Sequence, residues 1–184
     1  MIIKNFEINK LDFNLKKIFL LYGKNEGHKN EATKFIIKNK ENLSLYEEKE
    51  IIENSNLFVE SIMSKSLFDN EKTAVIRRAT DKLLNIIKEI KEKNLTDITI
   101  VINSANLDKK SKLRNFFEKD KDLICIPFYP DNEQTLSRIA YNFLKEKKIS
   151  ISSSNINLIV DKCGGDREVL LNELTKLEYY SKEG

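Results

Sequence analysis

Five short runs of Ile, Val, Leu and Phe punctuate the first two thirds of the chain, at residues 18–22, 43–46, 73–76, 98–102 and 123–126. Between them, apolar positions recur at the three- and four-residue spacing of a helix face. Residues 29–39 carry Ala32, Phe35 and Ile36 on one stripe, and the next stretch carries Leu57, Phe58, Ser61 and Ile62. Residues 81–93 show Leu83, Leu84, Ile87 and Ile90, and 107–119 show Leu113, Phe116 and Phe117. Strands alternating with helices at this spacing predict βαβ units and a parallel sheet. The strand runs are continuous rather than alternating, as strands covered on both faces should be.

The pattern changes at Pro127 and Pro130, the only prolines in the chain. Beyond them no strand is convincing, since Ile149 and Ile151 alternate only briefly. Asp131 is placed to cap a helix with Leu136, Ile139, Ala140, Phe143 and Leu144 on one stripe. Ser153 or Ser154 would cap a second, carrying Ile156, Ile159 and Val160, with Gly164 and Gly165 stopping it. Asp166 would cap a third, with Val169, Leu170, Leu174 and Leu177. The expected organisation is therefore an α/β domain over 1–129 and a three-helix appendage over 130–184.

Composition narrows the function classes. The chain has 184 residues, 40% hydrophobic and 33% charged, enough apolar material for a core. Net charge is only +3, which argues against a polybasic nucleic-acid binder. The cations are 27 Lys and 5 Arg, and the Lys excess, beside many Asn and Ile, reads as a base-composition bias that fills solvated helix faces. Two cysteines outside any CxxC pair cannot build a disulfide framework, and a single histidine leaves a Cys/His zinc site without ligands. No apolar run is long enough to span a bilayer and no secretory signal is evident, so an intracellular soluble protein is expected.

Parallel sheets place their sites at the carboxyl ends of the strands. After the first strand comes Gly23-Lys24-Asn25-Glu26-Gly27-His28-Lys29-Asn30. A phosphate-binding loop needs GxxxxGK[ST], with glycines that bare backbone N–H groups, a Lys for the terminal phosphates and a hydroxyl for magnesium. Aligned on Gly23, Lys29 is in place, but His28 stands where Gly is required and Asn30 where Ser or Thr is required. The third strand, where an NTPase carries a magnesium-binding acid, is followed by Arg77 and Arg78, and two cations repel a metal. The fourth ends in Asn103-Ser104. Nucleotide hydrolysis, bound metal and bound cofactor are accordingly not expected. His28 reads as a surface loop residue, and Cys125 and Cys163 as small hydrophobes.

Leu67 and Phe68 follow the end of a helical stripe, in a Ser/Lys/Asp context. Either they tuck back onto the core, or they form a knob offered to a pocket on a partner, where one aromatic anchor can be worth roughly 2–4 kcal/mol.

Taken in order, four signatures give the chain a family likeness. They are Leu20-Leu21-Tyr22-Gly23, then Ser66-Leu67-Phe68 before a strand ending in Arg, then Asn106-Leu107-Asp108-Lys109-Lys110-Ser111-Lys112-Leu113. The last is Gly165-Asp166 followed by Asn172-Glu173-Leu174-Thr175-Lys176-Leu177. With these the chain resembles the delta subunits of the bacterial DNA polymerase III clamp loader, over nearly its whole length. The resemblance implies an AAA+-like, P-loop-type parallel five-stranded sheet with helices on both faces, followed by a small helical lid. A collar domain used for oligomerisation would follow residue 184 and is expected to be missing from this chain. It further implies a non-catalytic subunit of a DNA-directed DNA polymerase holoenzyme that binds the ring-shaped sliding clamp (the beta subunit) and opens it for loading onto DNA without hydrolysing ATP. Leu67 and Phe68 map to the clamp contact, with Lys65 at a position where the family can carry another apolar residue. The other loader subunits are implied as partners through the collar, DNA only indirectly or weakly, a membrane not at all. A bacterial cytoplasmic, nucleoid- and replisome-associated location is also implied. Arg167 falls at the nucleotide-sensing Arg of active AAA+ proteins and reads as relic or surface.

Three alternatives remain. One is a nucleotide-binding AAA+ ATPase of another replication or repair complex. Another is a direct DNA-binding module using Lys109, Lys110 and Lys112. The third is the delta-prime type of subunit, disfavoured because its zinc-binding cysteines and Ser-Arg-Cys finger are lacking: Ser137-Arg138 is followed by Ile139.

Overall fold

The computed structural model describes residues 1–13, 17–37, 42–64, 72–93 and 97–183. The chain falls into two compact units. The first comprises Met1–Lys24 and Glu31–Phe128, the second Asn25–Asn30 and Tyr129–Gly184.

The first unit is built on five parallel strands: β1 (Ile18–Gly23), β2 (Leu43–Glu47), β3 (Lys72–Ala79), β4 (Ile98–Ser104) and β5 (Ile124–Phe128). Their spatial order is β2-β3-β4-β1-β5. β1 lies between β4 and β5, with Leu20 opposite both Ile102 and Cys125. The five apolar runs seed the strands, and the structure lengthens most of them toward their carboxyl ends. β3 runs on through Arg77 and Arg78 to Ala79 rather than stopping before the Arg pair.

Both faces of the sheet are buried, which is why the strands read as continuous runs. On one face Leu20, Tyr22, Ala74, Ile76, Ile100, Ile102 and Cys125 pack with residues of α2 (Glu48–Glu53), α3 (Ser55–Met63), α4 (Leu84–Glu92) and α5 (Lys112–Lys119). On the other, Phe19, Leu21, Val75, Val101, Ile124 and Ile126 meet Ile3, Ile8, Ala32 and Ile36. The last two belong to α1 (Glu26–Ile37). Fully burying one such side chain stabilises the fold by about 1.5–3 kcal/mol. The short α2 has no counterpart in the periodicity reading, because six residues with Ile51 as the one buried apolar side chain make no stripe.

The second unit holds α6 (Glu133–Glu146), α7 (Ser153–Lys162) and α8 (Arg167–Glu183). Leu136, Ala140, Leu144, Ile156, Val160, Cys163, Leu170 and Leu174 form its core, and Ile149 and Ile151 pack against it from the α6–α7 connection. The caps correct two sequence assignments. Asn132, not Asp131, accepts from the Thr135 amide (2.8 Å), and Ser152, not Ser153 or Ser154, accepts from Asn155 (3.3 Å). Asp166 caps α8 as expected, accepting from the Glu168 and Val169 amides at 2.8 and 3.1 Å. Gly164 and Gly165 adopt φ of +57° and +83°, the left-handed turn that ends α7.

Candidate functional site

The loop after β1 begins on a steric constraint. Gly23 has φ +129°, and a Cβ there would lie 2.1 Å from the Phe128 carbonyl oxygen. α1 then opens on Asn25, whose Oδ1 accepts from the His28 amide at 3.0 Å. The Asn25 amide group donates to the Tyr129 carbonyl (3.0 Å) and to Asp131 Oδ2 (2.8 Å). A Cβ on Gly27 would meet the Glu168 backbone nitrogen at 2.8 Å, so the first turn of α1 lies directly against the start of α8.

The charged groups of this segment are matched within the protein. Lys29 is 1% exposed, and its Nζ lies 2.7 Å from Glu26 Oε1. Arg167 and Asp131 have side chains only 7% and 8% exposed, with Nε 2.9 Å from Oδ2. A second Arg167 nitrogen, Nη2, donates to Asp131 Oδ1 at 3.3 Å. Arg167 is thus no surface residue: it is ion-paired with a buried carboxylate that also accepts from Asn25. Nor is His28 a loop residue. It sits half-buried in α1, its pKa lowered to about 4 by burial and then by the Arg167 charge, with Asp131 opposing, and is neutral at pH 7. Asn30 is exposed, its amide group 3.5 Å from Glu168 Oε2.

A nucleotide's phosphates need unneutralised cations and open backbone N–H groups. Here Lys29 faces Glu26, Arg167 faces Asp131, and His28 carries no charge. In the segment after β1 and at the start of α8, each buried cation is thus matched by a protein carboxylate. The sequence suggests Asp131 as a cap and gives Asn25 no role. The available signal is the spacing of Asn25 to the His28 amide, which is that of an N-cap.

At the other strand ends the side chains are basic or engaged by the protein. Arg77 and Arg78 are both exposed. Arg78 has φ +56° within a register shift between β3 and β4, and its Nη1 lies 3.7 Å from Glu47 Oε2. Asn103 and Thr33 bond each other at 3.2–3.3 Å, and the Ser104 hydroxyl donates to the Ala79 carbonyl. Asp81 accepts from the Ser111 hydroxyl (2.6 Å) and from the Lys112 and Leu113 amides (2.9 and 3.0 Å). Burial would raise its pKa, but these bonds hold the carboxyl below its ordinary value. The Cys125 thiol is pushed up to about 12 by burial, which removes it as a nucleophile. Among the described residues no three His, Cys, Asp or Glu gather as a metal site. No described helix is long and apolar enough to cross a membrane.

Leu67 and Phe68 lie outside the described residues. The flanks are described. α3 buries Phe58, Val59 and Ile62 and leaves Leu57 64% and Met63 41% exposed. Lys72 Nζ, at the start of β3, donates to the Ser61 carbonyl (2.7 Å), the Ser64 hydroxyl (2.9 Å) and the Ser64 carbonyl, joining the end of α3 to the beginning of β3.

No family model matches the chain. It is 22% identical over 169 residues to a probable DNA polymerase III subunit delta of Rickettsia prowazekii, across 91% of this chain. The chain spans about half of that relative's length (51%). Among solved structures, the Bacillus subtilis DNA clamp loader delta protein aligns at TM-score 0.65 and 14% identity, covering 96% of this chain and 57% of that one. A RuvB variant from Thermotoga maritima aligns at 0.59 and 14%, over 88% of this chain and 54% of that one. Domain III of the Thermotoga maritima replication initiation protein DnaA aligns at 0.53 and 14%, over 97% and 82%. The fold is therefore the AAA+-like α/β sheet with helices on both faces and a helical second unit, and the chain resembles clamp-loader delta subunits in sequence as well as in fold.

Proposed function

We propose that this chain works as the clamp-binding part of a clamp-loader delta subunit in the bacterial cytoplasm. In this reading residues 1–129 are an AAA+-like domain with a degenerate nucleotide site, and 130–184 are its lid. Leu67 and Phe68 engage a hydrophobic pocket on the sliding clamp. Binding shifts the ring toward its open form only by the difference in affinity for open and closed rings, so the subunit acts mechanically. ATP-driven change belongs to the other subunits of the loader, and DNA entry follows from the opened ring.

The observation that carries this reading is the matching of Arg167 by Asp131 beside a sequence similar to delta subunits along 91% of the chain. It favours a partner-binding module over a motor. Hydrolysis needs a cation on the terminal phosphates and a metal-holding acid. Arg167 and Lys29 are both paired with carboxylates, and the end of β3 is cationic.

The test is surface plasmon resonance against the cognate sliding clamp. The chain should bind, and Leu67→Ala/Phe68→Ala should weaken binding at least tenfold, the effect of losing roughly 1.4 kcal/mol or more at a hot spot. Unchanged affinity would refute the anchor assignment. Magnesium-dependent ATP binding by the isolated chain would return it to the nucleotide-binding class.

A further inference from the structure

Where α6 ends and α7 begins, the second unit opens into a groove of about 580 Å3, within the size range of ligand pockets. Its floor is apolar. Leu144 and Ile156 are buried at its base, and Ile149 and Ile151 line it half-buried from the connection between the helices. The alternation of these two isoleucines, too brief for a strand, thus places both on one apolar floor. Tyr141 lines the same groove with 55% of its surface exposed, the kind of rigid aromatic side chain that interfaces favour.

The charged lining is of one sign. Lys145 and Lys148, both exposed, line the groove, and no carboxylate does. Glu146 lies between them in sequence without lining it, and Glu178 is engaged by Lys147 (3.2 Å) and Lys182 (2.7 Å). α7 has no acid in its first turn to offset the two ammonium groups. Among the described residues neither Lys145 nor Lys148 is ion-paired, in contrast to Lys147.

Lys148 is also held at φ +57°. The turn requires that conformation: the Ile149 amide donates to the Leu144 carbonyl (2.9 Å) and the Lys148 amide to the Lys145 carbonyl (3.1 Å), the paired bonds that close a helix through a left-handed residue. Glycine adopts this geometry without strain, and Gly164 and Gly165 do so after α7. A lysine kept at a glycine position, beside a second lysine on the same groove, indicates that its ammonium group is used.

Cations alone would suit any polyanion, and an apolar floor alone any hydrocarbon chain. Together they match a peptide that offers carboxylates and a large apolar side chain at once, since interfaces combine an apolar centre with a complementary charged rim. We propose that this groove is a docking site for an acidic segment of a partner protein. One large apolar side chain of that segment sits on the Ile149–Ile151 floor, and its carboxylates meet Lys145 and Lys148. Failure of this proposal would leave the clamp reading untouched, because no residue is shared with Leu67 and Phe68.

The test is fluorescence anisotropy of the full chain with a labelled peptide, Gly-Glu-Asp-Glu-Phe-Glu-Asp-Glu-Gly, at about 50 mM salt. The peptide should bind, and more weakly at about 200 mM salt, where exposed charges are screened. Lys145→Glu/Lys148→Glu should lower affinity on the order of tenfold or more, because both charges then repel the peptide. Replacing the peptide's Phe by Ser should lower it severalfold, a change that leaves the fold of the chain untouched. Lys148→Gly should raise the melting temperature, by relieving the left-handed backbone, while weakening binding. Lys162→Ala/Lys176→Ala, elsewhere on the same unit, should change little. Three results would overturn the proposal: no binding of the peptide up to about 1 mM chain, equal affinity for the peptide without Phe, or tighter binding of a DNA duplex or of phosphatidylglycerol vesicles than of the peptide.

Discussion

Replacing Asp131 with alanine should be among the most damaging single substitutions in the second unit. Its carboxylate is 8% exposed and meets Arg167, itself 7% exposed, at 2.9 Å. Asn25, also buried, gives the same carboxylate a hydrogen bond of 2.8 Å. Removing Asp131 leaves a guanidinium without its counter-charge in a desolvated position, which costs about 3–5 kcal/mol. Asn25 keeps its bond to Tyr129, so its share of the loss is only about 1 kcal/mol. For a urea m-value of about 2 kcal/mol/M, the midpoint should fall by roughly 1.5–2.5 M. The assay is urea unfolding followed by far-ultraviolet circular dichroism, with hydrogen exchange over residues 129–183 to localise the loss. The double variant Asp131→Leu/Arg167→Met removes both charges and should recover most of the stability, because desolvating an ion pair offsets much of its attraction. A loss below about 1 kcal/mol for the single variant, or a double variant as damaged as the single, would refute the account of Arg167 as an internally neutralised cation.

Two further outcomes follow from the same region. His28 titrates near 4 in the fold against an ordinary value of 6.5, so the unfolded chain takes up its proton first on acidification. Stability should therefore fall as pH drops from about 6.5 to 4, by up to about 3 kcal/mol, and His28→Gln should flatten that part of a stability–pH curve measured by urea titration; an unchanged curve would contradict the burial of the ring. Gly23→Ala should destabilise the first unit by several kcal/mol, since its methyl would stand 2.1 Å from the Phe128 oxygen at φ +129°, and a thermal melt within a degree or two of the parent would show that β1 and β5 separate more readily than their register indicates.

The fold was legible because burial on both faces leaves an unmistakable trace: five apolar runs, each followed by a helical stripe, and then three stripes with no strand between them. Boundaries were less so. β3 continues past Ile76 because Arg77 pairs with Glu47 of β2 and, beyond the register shift, Ala79 pairs with Ser104 of β4, and neither pairing needs an apolar side chain; hydrophobicity alone stops the strand at Ile76. The segment after β1 was half legible. His28, Asn30 and the Arg pair could be seen to depart from a phosphate loop, since that judgement needs residue identity alone. The pairing of Asp131 with Arg167, 36 residues apart, could not be seen, because neither position has a local signature beyond a cap that Asn132 in fact supplies. Nor does any local pattern reveal that Asn25–Asn30 group with the helices at the other end of the chain.

The close approach of Gly23 to Phe128, and of Gly27 to Glu168, bears on how such chains evolve. Each glycine is required by the backbone packed against it, whether or not a phosphate ever enters. Selection for packing alone can hold such a glycine in place, so its presence says little about activity. The more telling positions are those where a cation has acquired a carboxylate of its own.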